Sequence, residues 1–272
     1  VTWFEALVLG IAQGLTEFLP ISSSAHLFIL SQLFGWSDPG AAFTAVTQIG
    51  TEVAVLVYFR RDIARIIRAW TRSLTDSSLR SDLDARMGWY IILGSLPIVI
   101  VGFTFSSYIE TTARNLWIVA IMLIVFGLFL GLADKYGSKT KSLDQLTVTS
   151  AVAFGLGQML ALVPGVSRSG ATITAGLTMG FNRVAATRYA FLLAIPAVLG
   201  SGLYEATKIG DSTSTAWGPT ILATIIAFFV GLAVIAWLLR WLTTRTYTPF
   251  VIYRVILGIG MLVLLGTGVL TS

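Results

Sequence analysis

The sequence predicts an all-α, polytopic helical membrane protein built as an inverted-topology repeat, with six full transmembrane helices and two re-entrant helix hairpins. Three observations predict it. Hydrophobic residues make up 56% and charged residues 11% of the 272 positions, whereas soluble domains carry about 25% charged residues. Six segments approach or exceed the roughly 20 apolar residues that carry a helix across a bilayer. Two further apolar segments break at a proline and resume behind a cluster of serines, with a spacing of about 145 residues between the two.

The first broken segment, residues 3–19, is apolar but contains Gln13 and Glu17 and halts at Pro20, before Ser22, Ser23, Ser24 and His26. The helix that follows, 25–34, rises only about 15 Å, half of a hydrocarbon core, so hairpin 3–35 reads as re-entrant. A charged n-region and a small-residue cleavage site are both missing near the start, so 3–19 is not expected to be a removable signal peptide. The first span is 41–59. A basic run from Arg60 to Arg86 reads as a solvated loop touching anionic headgroups. Spans 89–106 and 116–132 follow. The second broken segment, 148–163, ends at Pro164-Gly165, and Ser167-Arg168-Ser169-Gly170 opens another short helix that stops near Gly180. Spans 185–204, 219–239 and 250–270 complete the chain. Alternating strands of about ten residues are absent, which disfavours a transmembrane barrel. Without cysteine the chain has no disulfide or thiol chemistry.

Of the 18 Lys and Arg, 15 lie in four clusters: 60–86, 135–141, Arg183 with Arg188, and Arg240 with Arg245 and Arg254. The positive-inside rule makes these cytoplasmic and places both termini, with the turns near 108–114 and 207–217, on the outer side. The two hairpins align at Gly10 with Gly155, Gln13 with Gln158, Leu15 with Leu160, Ile21 with Val166, Ser22 with Ser167 and Ser24 with Ser169. The chain is thus one membrane domain of two halves, 1–134 with hairpin 3–35 and 147–272 with hairpin 148–180. Three spans per half invert the second half, and the hairpin tips can meet near the midplane, as in secondary transporters.

Serines open the second short helix of each hairpin and can cap its free N–H groups, and a helix N-terminus carries partial positive charge. Two such ends form a cradle for a phosphate-like anion. Ser22, Ser24, Ser167, Ser169, Gly170 and Thr172 are therefore candidate substrate-binding residues. Arg168 adds a fixed charge and a forked donor set suited to phosphate. Gln13 and Glu17 stand four apart on one helix face. Glu17 can be a general base, a ligand of Mg²⁺ or Ca²⁺ together with Gln13, or the partner of Arg168. His26, the single histidine, is a candidate general acid, base or nucleophile. Gln48 and Glu52 form a further polar pair within a span.

The run Gln13-Gly14-Leu15-Thr16-Glu17-Phe18-Leu19-Pro20-Ile21-Ser22-Ser23-Ser24-Ala25-His26, with Pro164-Gly165-Val166-Ser167-Arg168-Ser169-Gly170 later, closely resembles the bacterial undecaprenyl-diphosphate phosphatase family, also called the bacitracin-resistance protein family. The match extends over nearly the whole chain in length, span order and both motifs. The resemblance implies hydrolysis of the terminal phosphate of undecaprenyl diphosphate, recycling the lipid carrier of cell-wall synthesis, in the bacterial inner membrane with the site facing the outer side. Glu17 and Gln13 would bind the divalent cation or activate the attacking group. Ser23 or His26 would be the nucleophile or its acid–base partner, and Arg168 would hold the diphosphate. Activated water remains the third candidate nucleophile. The first motif position is Gln13 rather than Glu, so a two-carboxylate metal site needs Glu52. Expected partners are a polyprenyl diphosphate lipid and the bilayer, with no nucleic acid; a homodimer is left open. A lipid-carrier flippase using the same inverted repeat is the alternative.

Overall fold

A computed structural model describes residues 1–37, 40–105, 115–208 and 217–270. The chain forms α1 (Trp3–Thr16), α2 (Ser23–Leu33), α3 (Gly40–Tyr58), α4 (Arg60–Thr75), α5 (Leu83–Thr104), α6 (Leu116–Tyr136), α7 (Val148–Met159), α8 (Arg168–Thr178), α9 (Arg183–Lys208), α10 (Trp217–Trp241) and α11 (Thr248–Gly266). No strand occurs among the described residues, only an isolated bridge between Lys141 and Phe181. Side-chain caps set several helix starts. Thr2 and Glu5 form a capping box on α1, Asp82 caps α5 through the N–H groups of Asp84 and Ala85, and Asn115 caps α6.

Large apolar side chains are exposed along α5 (Val99, Ile100, Phe103), α10 (Ile221, Phe229) and α11 (Ile252, Ile256, Val263). A soluble protein would hide them; lipid is their solvent. Five helices among the described residues are long and apolar enough to cross a membrane: α5, α6, the Arg183–Gly200 part of α9, α10 and α11. The sixth expected span is present as α3, but its described apolar part, Phe43–Tyr58, is shorter and buries Thr47, Thr51 and Glu52. Residues 108–114 and 209–216 of the two expected outer turns lie outside the described residues.

Two other expectations are corrected. The basic run 60–86 is no loop: α4 takes its first part and α5 starts at Leu83. Arginines at 60, 61, 65, 68 and 72 alternate with Ile63, Ile66 and Trp70 at helical spacing, so an apolar stripe draws the segment onto α5. There Gly88 makes room for the Trp70 indole, and Asp62 pairs with both Arg65 and Arg188. Arg254 is also no loop charge, because its side chain is fully buried.

Helices approach closely where a glycine replaces a side chain. A Cβ on Gly10 of α1 would stand 2.7 Å from Ala223 O of α10, and one on Gly50 of α3 would stand 2.2 Å from Thr224 O of the same helix. A Cβ on Gly155 of α7 would meet Gly94 O of α5 at 2.1 Å. Helix α10 therefore fixes both α1 and α3, while α5 fixes α7. At one end of the bundle Asp134 of α6 accepts from Arg183 Nε at 2.5 Å and from Tyr247 N at 2.9 Å, joining the starts of α9 and α11.

Candidate active site at two opposed helix starts

Helices α2 and α8 are each 11 residues long and each follows a serine in the left-handed region: Ser22 has φ 74° and Ser167 has φ 72°. Such a conformation costs a non-glycine residue on the order of 1 kcal/mol and persists where its surroundings enforce it. Both serines reach the hydroxyl two residues on, Ser22 Oγ to Ser24 Oγ and Ser167 Oγ to Ser169 Oγ, each at 3.2 Å. The expected serine capping is met on one side. Ser167 Oγ accepts from Gly170 N at 3.2 Å, whereas Ser22 makes no side-chain cap.

The start of α8 touches the end of α1. Ser169 Oγ donates to Leu19 O at 3.2 Å, across to the turn that follows α1. Arg168 Nη2 donates to Glu17 Oε1 at 2.6 Å, with the two side chains 18% and 4% exposed. The other carboxylate oxygen, Oε2, accepts from Ser23 Oγ at 2.6 Å and from Gln13 Nε2 at 3.0 Å. Glu17 is thus the hub where Gln13, Ser23 and Arg168 meet. A carboxylate accepts only, so the Ser23 hydroxyl hydrogen points at Glu17 and its lone pairs face away. Thr172 Oγ1 turns back to Arg168 O at 2.7 Å and so braces the helix turn that carries the arginine.

Arg254 holds the two tips together. Its Nη1 donates to Pro20 O at 3.0 Å in the first turn, and Nη2 donates to Gly165 O at 3.0 Å and Val166 O at 2.9 Å in the second. Nε donates to Leu123 O of α6 at 3.1 Å. A guanidinium offers five N–H groups in a plane, which is why one side chain can serve carbonyls from three segments. Gly170 makes this possible, since a Cβ there would stand 2.8 Å from Arg254 Nη1. The sequence offered a signal for Arg254: it lies inside the apolar run 250–270, where an arginine is costly.

His26 does not join the Glu17 hub. Its Nδ1 lies 2.7 Å from Ser22 O and its Nε2 lies 2.7 Å from the Tyr253 hydroxyl. A carbonyl accepts only, so Nδ1 carries the hydrogen and, in the neutral ring, Nε2 accepts from Tyr253. Tyr253 had no signal beyond its neighbour Arg254. Glu52 is 3% exposed and lies in the electrostatic field of Arg168 and Glu17. Beside α8 runs an apolar groove of about 500 Å³, lined by Phe126, Phe129, Leu160, Ala171, Thr174 and Ala175.

A bundle that exposes apolar side chains outward and gathers a carboxylate, hydroxyls and arginines inward belongs to the class of polytopic helical membrane proteins with a polar cluster at depth. Within that class, the chain belongs to the family described as Bacitracin resistance protein BacA, whose model matches residues 6–260. It is 59% identical over 273 residues to the undecaprenyl-diphosphatase of Nocardioides sp., covering 100% of both chains. It is 56% identical over 276 residues to the undecaprenyl-diphosphatase of Micrococcus luteus, again over 100% of both. Identity to undecaprenyl-diphosphatase 2 of Streptomyces coelicolor is 55% over 282 residues, covering 99% of this chain and 97% of that one.

Proposed function

We propose that the chain hydrolyses undecaprenyl diphosphate to undecaprenyl phosphate and inorganic phosphate. Full-length identity to proteins named undecaprenyl-diphosphatase supports the substrate. The observation that carries the chemistry is the contiguous set Ser23–Glu17–Arg168, joined by two contacts of 2.6 Å. Glu17 takes the Ser23 proton as the hydroxyl oxygen attacks the terminal phosphorus, and the bond to the bridging oxygen breaks. Arg168 exchanges Glu17 Oε1 for phosphate oxygens and spreads the charge that builds on them. Glu17 hands that proton to the departing undecaprenyl phosphate; as a carboxylate again it deprotonates a water that attacks the phosphorus held on Ser23, and Ser23 Oγ takes the proton back as inorganic phosphate leaves. His26, bound to Ser22 O and Tyr253, orients the start of α2 in this scheme. Ser22, Ser24, Ser167, Ser169 and Gly170 form the anion cradle. The isoprenoid tail leaves the site sideways along apolar surface such as the groove beside α8.

A divalent cation, Mg²⁺ or Ca²⁺, belongs to this proposal. The donor set suits it: Glu17 is a carboxylate, and the buried Gln13 Oε1 accepts no hydrogen bond. Among the described residues no three His, Cys, Asp or Glu side chains gather as a metal site, so substrate oxygens would complete the coordination. When bound, the ion neutralises diphosphate charge.

The inverted repeat is proposed on the packing pattern. Helix α1 packs on α10 as α7 packs on α5, α3 on α10 as α9 on α5, while α6 meets α11 and α3 meets α9. Each of these contacts returns when the halves are exchanged, although α8 packs on α6 and α9 more closely than α2 does on α11 and α3. The outer placement of termini and site, and a homodimer, belong to the same reading. The symmetry also favours a second reading, translocation of the lipid carrier. The test of the first is phosphate release from a polyprenyl diphosphate by the purified chain with Mg²⁺ or Ca²⁺, with radiolabel trapped on Ser23. Lipid transfer across liposomes without phosphate release would favour the second.

A further inference from the structure

We infer that Glu52, on α3, is a ligand of the divalent cation at this site and supplies the second carboxylate that the amide of Gln13 does not. The inference rests on the cation reading above and names a residue outside both sequence motifs.

Glu52 is the one charged residue of α3, and it is 3% exposed with its Oε1 accepting no hydrogen bond. The charges that act on it are Arg168 and Glu17, from the two hairpins. Its setting is fixed. Gly50 presses α3 onto Thr224 of α10, Gly10 presses α1 onto Ala223, and at Gly231 of α10 both Phe18 and Ala54 come within a side chain's reach. Phe18 follows Glu17, and Ala54 lies two residues after Glu52, so one helix sets the register of both carboxylates. Gln48 and Glu52 share a face of α3 by their spacing of four, and Phe59 directly follows that helix. The ring of Phe59 reaches Phe191 at 6.5 Å, and Phe191 reaches Phe18 at 5.4 Å, which links that end of α3 back to the tip of the first hairpin.

A second unsatisfied group points the same way. Gln13 is 1% exposed; its Nε2 donates to Glu17, leaving Oε1 buried and without a donor. Glu52 Oε1 and Gln13 Oε1 are thus two buried oxygens to which no N–H or O–H is turned. An oxygen-loving cation satisfies both, and Glu17, Glu52 and the Gln13 amide then offer it two carboxylates and one carbonyl.

The experiment measures cation binding without substrate. Mn²⁺ is titrated into the purified full chain in detergent, and free Mn²⁺ is read by electron paramagnetic resonance. Glu52→Gln is expected to weaken Mn²⁺ at least tenfold, and Gln13→Glu added to that variant is expected to restore most of it. Melting temperature and gel-filtration elution report whether each variant folds; Glu52→Asp, which keeps the charge, replaces Glu52→Gln if the latter does not, and is then expected to weaken Mn²⁺ by a smaller factor. Unchanged Mn²⁺ binding in the folded Glu52 variant overturns the inference, as does a second carboxylate at position 13 that rescues nothing. Absence of Mn²⁺ binding by the unaltered chain sinks the cation reading together with this one, while phosphate release decides the hydrolase reading separately.

Discussion

The Ser23 hydroxyl lies 2.6 Å from Glu17 Oε2, six residues away along the chain and across the break between α1 and α2. The opposite oxygen of the same carboxylate is held at 2.6 Å by Arg168, from the other half of the sequence. A hydroxyl, an amide and a guanidinium therefore share one carboxylate, and each can be perturbed separately.

Ser23→Ala removes the hydroxyl but leaves Glu17 with Arg168 and Gln13. Phosphate release should fall by about 10³-fold or more while the melting temperature hardly changes. Activity within tenfold of the unaltered chain would move the attacking role to water or to His26.

The pair Glu17–Arg168 should show strong coupling. Each single alanine variant strands a buried charge, at a cost of about 3–5 kcal/mol, whereas the double variant strands neither. Thermal melting of the two singles and the double checks this: the double should be less destabilised than the sum of the singles. Additive losses would mean that the ion pair adds nothing to the fold.

Arg254→Lys keeps a charge but exchanges a planar fork for a single ammonium that cannot span Pro20, Gly165, Val166 and Leu123 together. A loss of about 3 kcal/mol in stability is expected, since several buried carbonyls lose donors. Hydrogen exchange at the two turns should rise most.

The single histidine allows a direct test of the His26 geometry. Nitrogen-15 NMR of histidine-labelled protein should show the neutral ring protonated on Nδ1, the nitrogen facing Ser22 O. Tyr253→Phe should perturb the Nε2 signal and leave Nδ1 protonated. A ring protonated on Nε2 would contradict the contact.

Close helix contacts predict which glycines tolerate a methyl. Gly155→Ala would place Cβ 2.1 Å from Gly94 O, whereas Gly260 has nothing within 4 Å. Gly155→Ala should lower the melting temperature by several degrees, with a cost of about 1–3 kcal/mol, and Gly260→Ala should not.

Most of the site was legible in the sequence, for a reason that holds residue by residue. A charge inside an apolar segment is expensive, so Glu17 and Arg168 stood out, and Pro20 and Pro164 marked where their helices break. The hydroxyls of Ser22, Ser23, Ser167 and Ser169 stood beside those breaks. What stayed hidden involves partners far apart in the chain. Arg254 carries the cost of a charge inside an apolar run, yet only its contacts with Pro20 and Val166 show that it ties the tips together. His26 stood near the serines in sequence, yet α2 turns it toward Tyr253, 227 residues on. In the basic run after α3 charge dominates the local pattern, and the stripe of Ile63, Ile66 and Trp70 that makes it a helix gains its partner only in α5.

The sequence by itself determined the solvent, the helices and the breaks, because hydropathy, proline and glycine act locally along the chain. Tertiary structure alone decided which oxygen of Glu17 meets Ser23 and which meets Arg168, where Arg254 is spent, and that Glu52 lies in the field of both hairpins. Those relations depend on the rotation and close approach of helices remote in sequence, set here by glycines 10, 50 and 155 against bare backbone, and no local pattern encodes them.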